Sequence, residues 1–243
     1  MSPLSIRWSL RVLTSVGVAA ALAYLPAAAS GASGAPTAAS VIASTKAAMA
    51  KQTGVHIVVS ENAGKTKTTV VVDLGTATGT ETITTGKKFV AIIVTKKFAY
   101  VRGSAGGLTG IMGLTAAQEK IVGTKSIVMD AGSTPYTSFK TSLTTGALQS
   151  FLPKTKGTTL LPVVAGSGSY RIRWSVKSTS TSAKVTSVLK IASDKTSLPL
   201  SETVTSSTGA GATTFSHWGE TVHLRVPSSS NLVTYTKVFS PGG

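Results

Sequence analysis

The sequence contains no cysteine among its 243 residues, which excludes disulfide bonds, a thiolate nucleophile and cysteine-ligated metal centres. Acidic residues are also scarce, with 8 Asp and Glu against 24 Lys and Arg. The few carboxylates never cluster along the chain, and neither a G-x-S-x-G nor an H-E-x-x-H motif is present. The sequence therefore predicts a protein that is not an enzyme, with no catalytic site and no cofactor.

Histidine is equally rare, and two of the three histidines lie in the segment TTFSHWGETVHLRVP. His217 is expected at a turn, whereas His223 shares the solvated face of a predicted strand with Arg225, whose charge disfavours a cation there. Zinc needs three or four ligands, and only Glu220 and the distant His56 remain as further candidates. The sequence therefore predicts no metal site.

Long apolar runs are limited to the N-terminus, where VLTSVGVAAALAYL follows Arg7 and Arg11 and precedes small residues at Ala27 and Ala29. This order is typical of a secretory signal peptide cleaved near Ala29. The run is shorter than the roughly 20 residues that cross a bilayer. We therefore expect a secreted or cell-envelope protein of a bacterium. Its predicted parts are a signal peptide at 1–29, a flexible linker at 30–36 and a single domain at 37–240.

A net charge of +16 would attract the protein to anionic surfaces. Outside a cell these are membrane headgroups and cell-wall polymers, and we expect no nucleic acid partner. The alternative is that the lysines, scattered among Thr and Ser, merely keep strand faces solvated. We expect a monomer.

Capping residues and hydrophobic periodicity predict several short helices. Thr37 is a cap for the first helix and Gly54 its expected stop, while Thr115 and Gln118 form a capping box. Pro135 suits the first turn of a later helix. The predicted helices are 37–54, 113–123 and two small ones within 133–153.

Alternation of apolar and polar residues, interrupted by short turns, predicts antiparallel strands in the rest of the chain. About 10–11 strands are predicted, which is too many for a flat open sheet. We therefore expect an α+β fold with a strongly curved antiparallel sheet, a half-barrel whose concave face is covered by short helices. The predicted strands are 55–61, 67–74, 78–84, 87–95, 96–102, 125–131, 168–177, 184–193, 198–207, 211–218 and 220–227.

A family resemblance is carried by a series of segments in fixed order: an N-terminal signal, an Ala-rich helix before GVHIVVSE, then KKFAYVR, PYTSFKTSLTTGALQSFL, ASDKTSLPLSETVTSS and ATTFSHWGETVHLRVP. Together they resemble the actinobacterial LppX/LprG-type cell-envelope lipoproteins over nearly the whole mature chain. The resemblance implies a half-barrel related to the LolA and RseB sheets, and an acylated lipid or glycolipid carried between sheet and helices. The family's lipobox cysteine is missing, so we expect no lipid anchor.

Acyl chains would gain roughly 0.8 kcal/mol for each methylene buried in an apolar cavity. The strand pattern and the helical patches indicate which residues would line that cavity. An envelope sensing or scaffolding module with a filled core and a basic surface remains the alternative function. Arginines expected to contact an anionic headgroup are Arg102, Arg171 and Arg173. Residues expected to line the cavity are Val70, Val72, Ile92, Val94, Tyr100, Met112, Leu114, Tyr136, Phe139, Leu143, Leu148 and Phe151.

Overall fold

A computed structural model describes residues 35–177, 184–207 and 209–240. In this part of the chain twelve strands form one sheet. Their bounds are β1 Gly54–Ala63, β2 Thr66–Gly75, β3 Gly79–Thr85, β4 Lys88–Val94, β5 Phe98–Gly103, β6 Ser126–Asp130, β7 Thr159–Leu160, β8 Ser169–Lys177, β9 Lys184–Ala192, β10 Pro199–Ser206, β11 Gly209–Ser216 and β12 Leu232–Thr234.

The sheet has the order β12-β6-β5-β4-β3-β2-β1-β11-β10-β9-β8-β7. Each neighbouring pair is antiparallel except β12 and β6, which are parallel. Most neighbours are also consecutive in the chain, as expected for strands joined by short turns. The predicted α+β class with a curved, mostly antiparallel half-barrel sheet is confirmed.

The helices are short, and the caps predicted at Thr37 and Thr115 are present. Thr37 and Thr115 each form a capping box, and Ser133 caps the helix that has Pro135 in its first turn. Their bounds are α1 Ala38–Met49, α2 Gly107–Met112, α3 Ala116–Val122, α4 Thr134–Ser142 and α5 Tyr235–Phe239, with 3-10 helices at Thr145–Phe151 and Ser229–Asn231.

The helices pack on one face of the sheet, which we call the inner face. A side chain at Gly103 would meet the Leu108 side chain of α2 at 2.9 Å, and one at Gly79 would meet the Leu143 backbone oxygen at 2.0 Å. These two glycines therefore allow the covering segments to approach the strands closely. On β11 the inner-face residue Phe215 contacts Phe151 of the 3-10 helix, with ring centroids 5.7 Å apart. The buried core lies between this face and the helices.

Two predicted elements differ from the structure. The segment 220–227 forms no strand, because it leads from β11 in the middle of the sheet towards β12 at its edge and crosses the ends of strands whose edges are already paired. Helix α1 ends at Met49 instead of continuing to Gly54. Gly54 already belongs to β1, where a Cβ atom would lie 1.9 Å from the Glu220 oxygen.

Five elements were not predicted, namely α2, α5, β7, β12 and the 3-10 helix Ser229–Asn231. The predicted signal peptide and most of the linker lie outside the described residues. Among the residues that are described, no helix is long and apolar enough to cross a membrane.

Candidate functional site

Most residues predicted to line a lipid cavity form the packed core between sheet and helices. Val70, Met112 and Phe151 are partly buried against this core. Eight others are buried within it: Val72, Ile92, Val94, Leu114, Tyr136, Phe139, Leu143 and Leu148. The structure therefore brings eleven of the twelve predicted residues together, but as side chains packed on one another.

Tyr100 departs from the prediction. It alternates with Ala99 and Val101, which belong to the core cluster, so its side chain points to the opposite, outer face of the sheet. There it lies beside Phe98, with ring centroids 6.1 Å apart. Tyr100 is buried, but it does not face the helices.

Arg171 and Arg173 also lie on the outer face, because they alternate with the buried inner-face residue Ile172. The Arg171 guanidinium donates a hydrogen bond to the Pro162 carbonyl oxygen at 3.1 Å. Arg173 is exposed opposite Thr159 of β7. Neither arginine is near the third predicted headgroup residue, Arg102, since β5 and β8 are eight strand positions apart in the sheet.

Arg102 lines a pocket of about 580 Å³ between the end of β5 and helices α2 and α3, which we call the Arg102 pocket. Its other lining residues are Phe89, Gly103, Ser104, Ala105, Leu108, Ala116, Glu119, Lys120, Gly123 and Thr124. The wall passes from the core residue Leu108 to the charged side chains of Arg102 and Lys120. One cavity thus offers both apolar surface and positive charge.

Local backbone structure explains why a pocket forms here. The ladder between β5 and β6 ends at the pair Val101 and Ile127, so the last two residues of β5 lie beyond it, next to the end of α3. Helix α2 begins immediately over β4, where a side chain at Gly107 would lie 2.3 Å from the Phe89 oxygen. Ser104 fixes this corner by accepting a hydrogen bond from the Phe89 amide at 2.9 Å.

The electrostatics of the Arg102 pocket are unbalanced. The Arg102 guanidinium carbon lies 5.7 Å from the centroid of the Phe89 ring, a cation–π contact. Among the described residues, the carboxylate that lies within 4 Å of a basic side chain is Asp73, beside His56 on another part of the sheet. Arg102 and Lys120 therefore have no carboxylate within that distance. Glu119 is near them, but its buried Oε1 has no hydrogen-bond partner. An anionic group is therefore the natural complement of the two cations.

A second polar feature lies inside the apolar inner face. Glu202 on β10 is only 2% exposed, and its cross-strand neighbours are Leu189 and the buried Thr213. Burial raises the pKa of Glu202 to about 7, against a smaller lowering by a hydrogen bond from Ser187. Its Oε1 has no hydrogen-bond partner. Burial also raises the pKa of the half-buried Glu61 on β1.

Sequence reasoning missed Lys120, Glu119 and Leu108, because the pocket depends on helix α2, which was not predicted. It also missed Glu202, although the sequence contained a signal. In LPLSETVTSS, Glu202 lies two residues before Val204. Their side chains therefore share one face of the strand, the apolar one.

Comparisons with known proteins give similarity in structure only. No family model matches the chain, and no curated protein matches it. The lipoprotein LppX from Mycobacterium tuberculosis is similar at 17% identity and a TM-score of 0.45, covering 77% of this chain and 100% of that one. LprF from Mycobacterium bovis is similar at 13% identity and a TM-score of 0.45, covering 78% and 96%. Both belong to the family that the sequence resembles, and the resemblance concerns the fold.

Proposed function

We propose that the protein binds an acylated lipid or glycolipid without enzymatic turnover, with the acyl chains between sheet and helices and an anionic headgroup at the Arg102 pocket. One observation carries this proposal: a cavity of about 580 Å³ joins the core residue Leu108 to Arg102 and Lys120. Ligand pockets commonly have volumes of about 300–1,000 Å³. An amphiphile matches the chemistry of both ends.

The inner face supports the acyl part of this proposal. It is apolar over most of the described strands. Three of the helices that cover it, α2, α3 and α4, are only 6 to 9 residues long. Helices shorter than about 12 residues are not stable alone, so they depend on packing against the sheet. Each methylene that a lipid buries contributes about 0.8 kcal/mol, and a chain of many methylenes can therefore replace contacts that these helices now make.

The first test is lipid extraction from protein purified from its native host, followed by mass spectrometry. We expect a bound acylated species in stoichiometric amount. A clean spectrum from intact protein would contradict the proposal.

The second test measures uptake of pyrene-labelled phosphatidylglycerol from phosphatidylcholine vesicles. The double variant Arg102→Gln with Lys120→Gln should reduce uptake by at least about fivefold, since charge-assisted hydrogen bonds are the stronger kind. The matched control is Arg173→Gln with Lys190→Gln, which removes the same charge from exposed positions on β8 and β9. Equal uptake by the two double variants would refute the headgroup assignment.

One observation favours the alternative, an envelope interaction module with a filled core. Eight of the twelve predicted cavity residues are buried in the core on the inner face, so their side chains already occupy the space under the helices. In that case the net charge of +16 would serve contacts with anionic polymers. Binding to anionic vesicles without any extraction of the labelled lipid would support this module.

A further inference from the structure

A cluster of His56, Asp73 and His217 lies on the outer face of the sheet, away from the Arg102 pocket. His56, Asp73 and Thr80 are direct cross-strand neighbours on β1, β2 and β3, so they form one row on the side away from the helices. Ser216 of β11 is the partner of His56 on its other side. His217 follows Ser216 at once, which brings it to the same end of the row.

The row holds His56 in a fixed orientation. Its Nδ1 lies 2.6 Å from Asp73 Oδ1, and the Thr80 hydroxyl donates to Asp73 Oδ2 at 3.0 Å. A carboxylate that accepts from one ring nitrogen orients the ring and leaves the other nitrogen for a metal ion. His56 Nε2 is therefore the nitrogen that this arrangement leaves for a ligand.

The turn after β11 places the second imidazole. His217 has a φ of 53°, which is uncommon for a residue other than glycine. The turn is attached to the start of β1, because the Gly219 amide donates to the Gly54 oxygen at 2.8 Å and the Thr53 hydroxyl donates to the Gly219 oxygen at 2.8 Å. As a result the His56 and His217 ring centroids lie 5.6 Å apart at an interplanar angle of 62°.

This separation agrees with two imidazoles around one metal ion. A nitrogen ligand lies about 2.0–2.1 Å from zinc, so the ion is about 3.2 Å from each ring centroid and two tetrahedral ligands have centroids about 5.2 Å apart. The observed 5.6 Å differs little from that value. Among the described residues no set of three or more His, Asp and Glu side chains converges on one point, so water would complete the coordination.

We propose that His56 and His217 bind a divalent transition-metal ion on the outer face of the sheet, with Asp73 as the positioning residue. Imidazole nitrogen suits copper, zinc and nickel, and Cu²⁺ is the tightest of these by the general order of metal affinities. The site is formed by β1, β2 and the turn after β11, apart from the Arg102 pocket. It therefore stands whether or not the protein binds lipid.

The test is titration of tag-free protein with CuSO₄ by calorimetry, combined with electron paramagnetic resonance of the copper complex. We expect one Cu²⁺ per chain with two nitrogen ligands. His56→Ala and His217→Ala should each weaken binding at least about tenfold and remove one nitrogen from the spectrum. His223→Ala is the matched control, since His223 is the remaining histidine and is exposed, and it should leave both measurements unchanged.

Asp73→Asn tests the positioning role. It should weaken Cu²⁺ binding by about 10- to 100-fold, the range found for such outer partners, while the spectrum keeps two nitrogen ligands. Circular dichroism of each variant without metal checks that the sheet is folded. Wild-type affinity in either histidine variant, or a wild-type spectrum with fewer than two nitrogens, would overturn the proposal.

Discussion

Glu202→Gln should remove the loss of folding stability that this buried carboxyl group causes as pH rises. The carboxyl group of Glu202 lies on the inner face, 2% exposed, between Leu189 and Thr213. Burial raises its pKa to about 7 from the ordinary value of 4.5. Glutamine keeps the shape of the side chain and cannot ionise, so the variant isolates the effect of the charge.

The sign of this pH effect depends on whether Glu202 ionises at a lower pH in the folded or in the unfolded state. Between pH 4.5 and about 7 the unfolded chain loses this proton while the folded protein keeps it, so the free energy of unfolding falls as pH rises through that range. A difference of one in pKa corresponds to 1.36 kcal/mol, and the pKa change of Glu202 therefore costs the folded state about 3 kcal/mol at pH 8. Below pH 4.5 both states are protonated and the cost disappears.

The assay is urea unfolding at pH 4, 6 and 8, followed by the fluorescence of Trp174 and Trp218, which pack against the core. Glu202→Gln should match the wild-type at pH 4 and exceed its unfolding free energy by up to about 3 kcal/mol at pH 8. Glu220→Gln, at an exposed position, is the control and should retain the wild-type pH dependence. If Glu202→Gln showed the same slope as the wild-type between pH 4 and 8, the buried carboxyl would have no such effect.

Three further substitutions test the packing of the helices on the inner face, each by urea unfolding. Gly79→Ala should destabilise the protein by about 1 to 3 kcal/mol, because its new methyl group would lie 2.0 Å from the Leu143 oxygen; an unchanged midpoint would contradict this contact. Tyr136→Phe should cost about 1 kcal/mol, since the hydroxyl donates to the Thr95 and Lys96 carbonyl oxygens at 3.1 and 2.8 Å, and wild-type stability would show that these bonds contribute nothing. Leu148→Ala should cost about 2 to 5 kcal/mol, because Leu148 is 1% exposed, whereas a loss below 1 kcal/mol would mean that the 3-10 helix does not close the core.

Local chemistry made the capped helices and most strands predictable. Thr115 with Gln118, and Pro135 in the first turn of α4, mark where α3 and α4 begin in the sequence itself. Helix α2 has no such signal, because its N-cap is Gly106 without a side-chain bond and its sequence contains two glycines. It forms because Leu108 is buried over Gly103, a contact that tertiary structure supplies.

Alternation alone was insufficient for the segment 220–227. A period of two shows which side chains share a face, but it does not show whether a neighbouring strand has a free edge. The strands β1 and β11 already have partners on both sides, so this segment had no edge to join. The same limit applies to His56 and His217. They are close because β1 pairs with β11, and their spacing along the chain does not predict this pairing.

The turn after β11 connects the two faces of the sheet. On the inner side Trp218 stacks on Phe215 with centroids 6.1 Å apart, and its indole donates to the Pro199 oxygen at 3.1 Å. On the outer side the preceding residue, His217, lies beside His56. A lipid that moved the packing around Phe215 would therefore also move the backbone that orients His217. Since coupling between two binding equilibria is reciprocal, a metal ion that fixed this turn would change lipid affinity by the same factor as the lipid changes metal affinity.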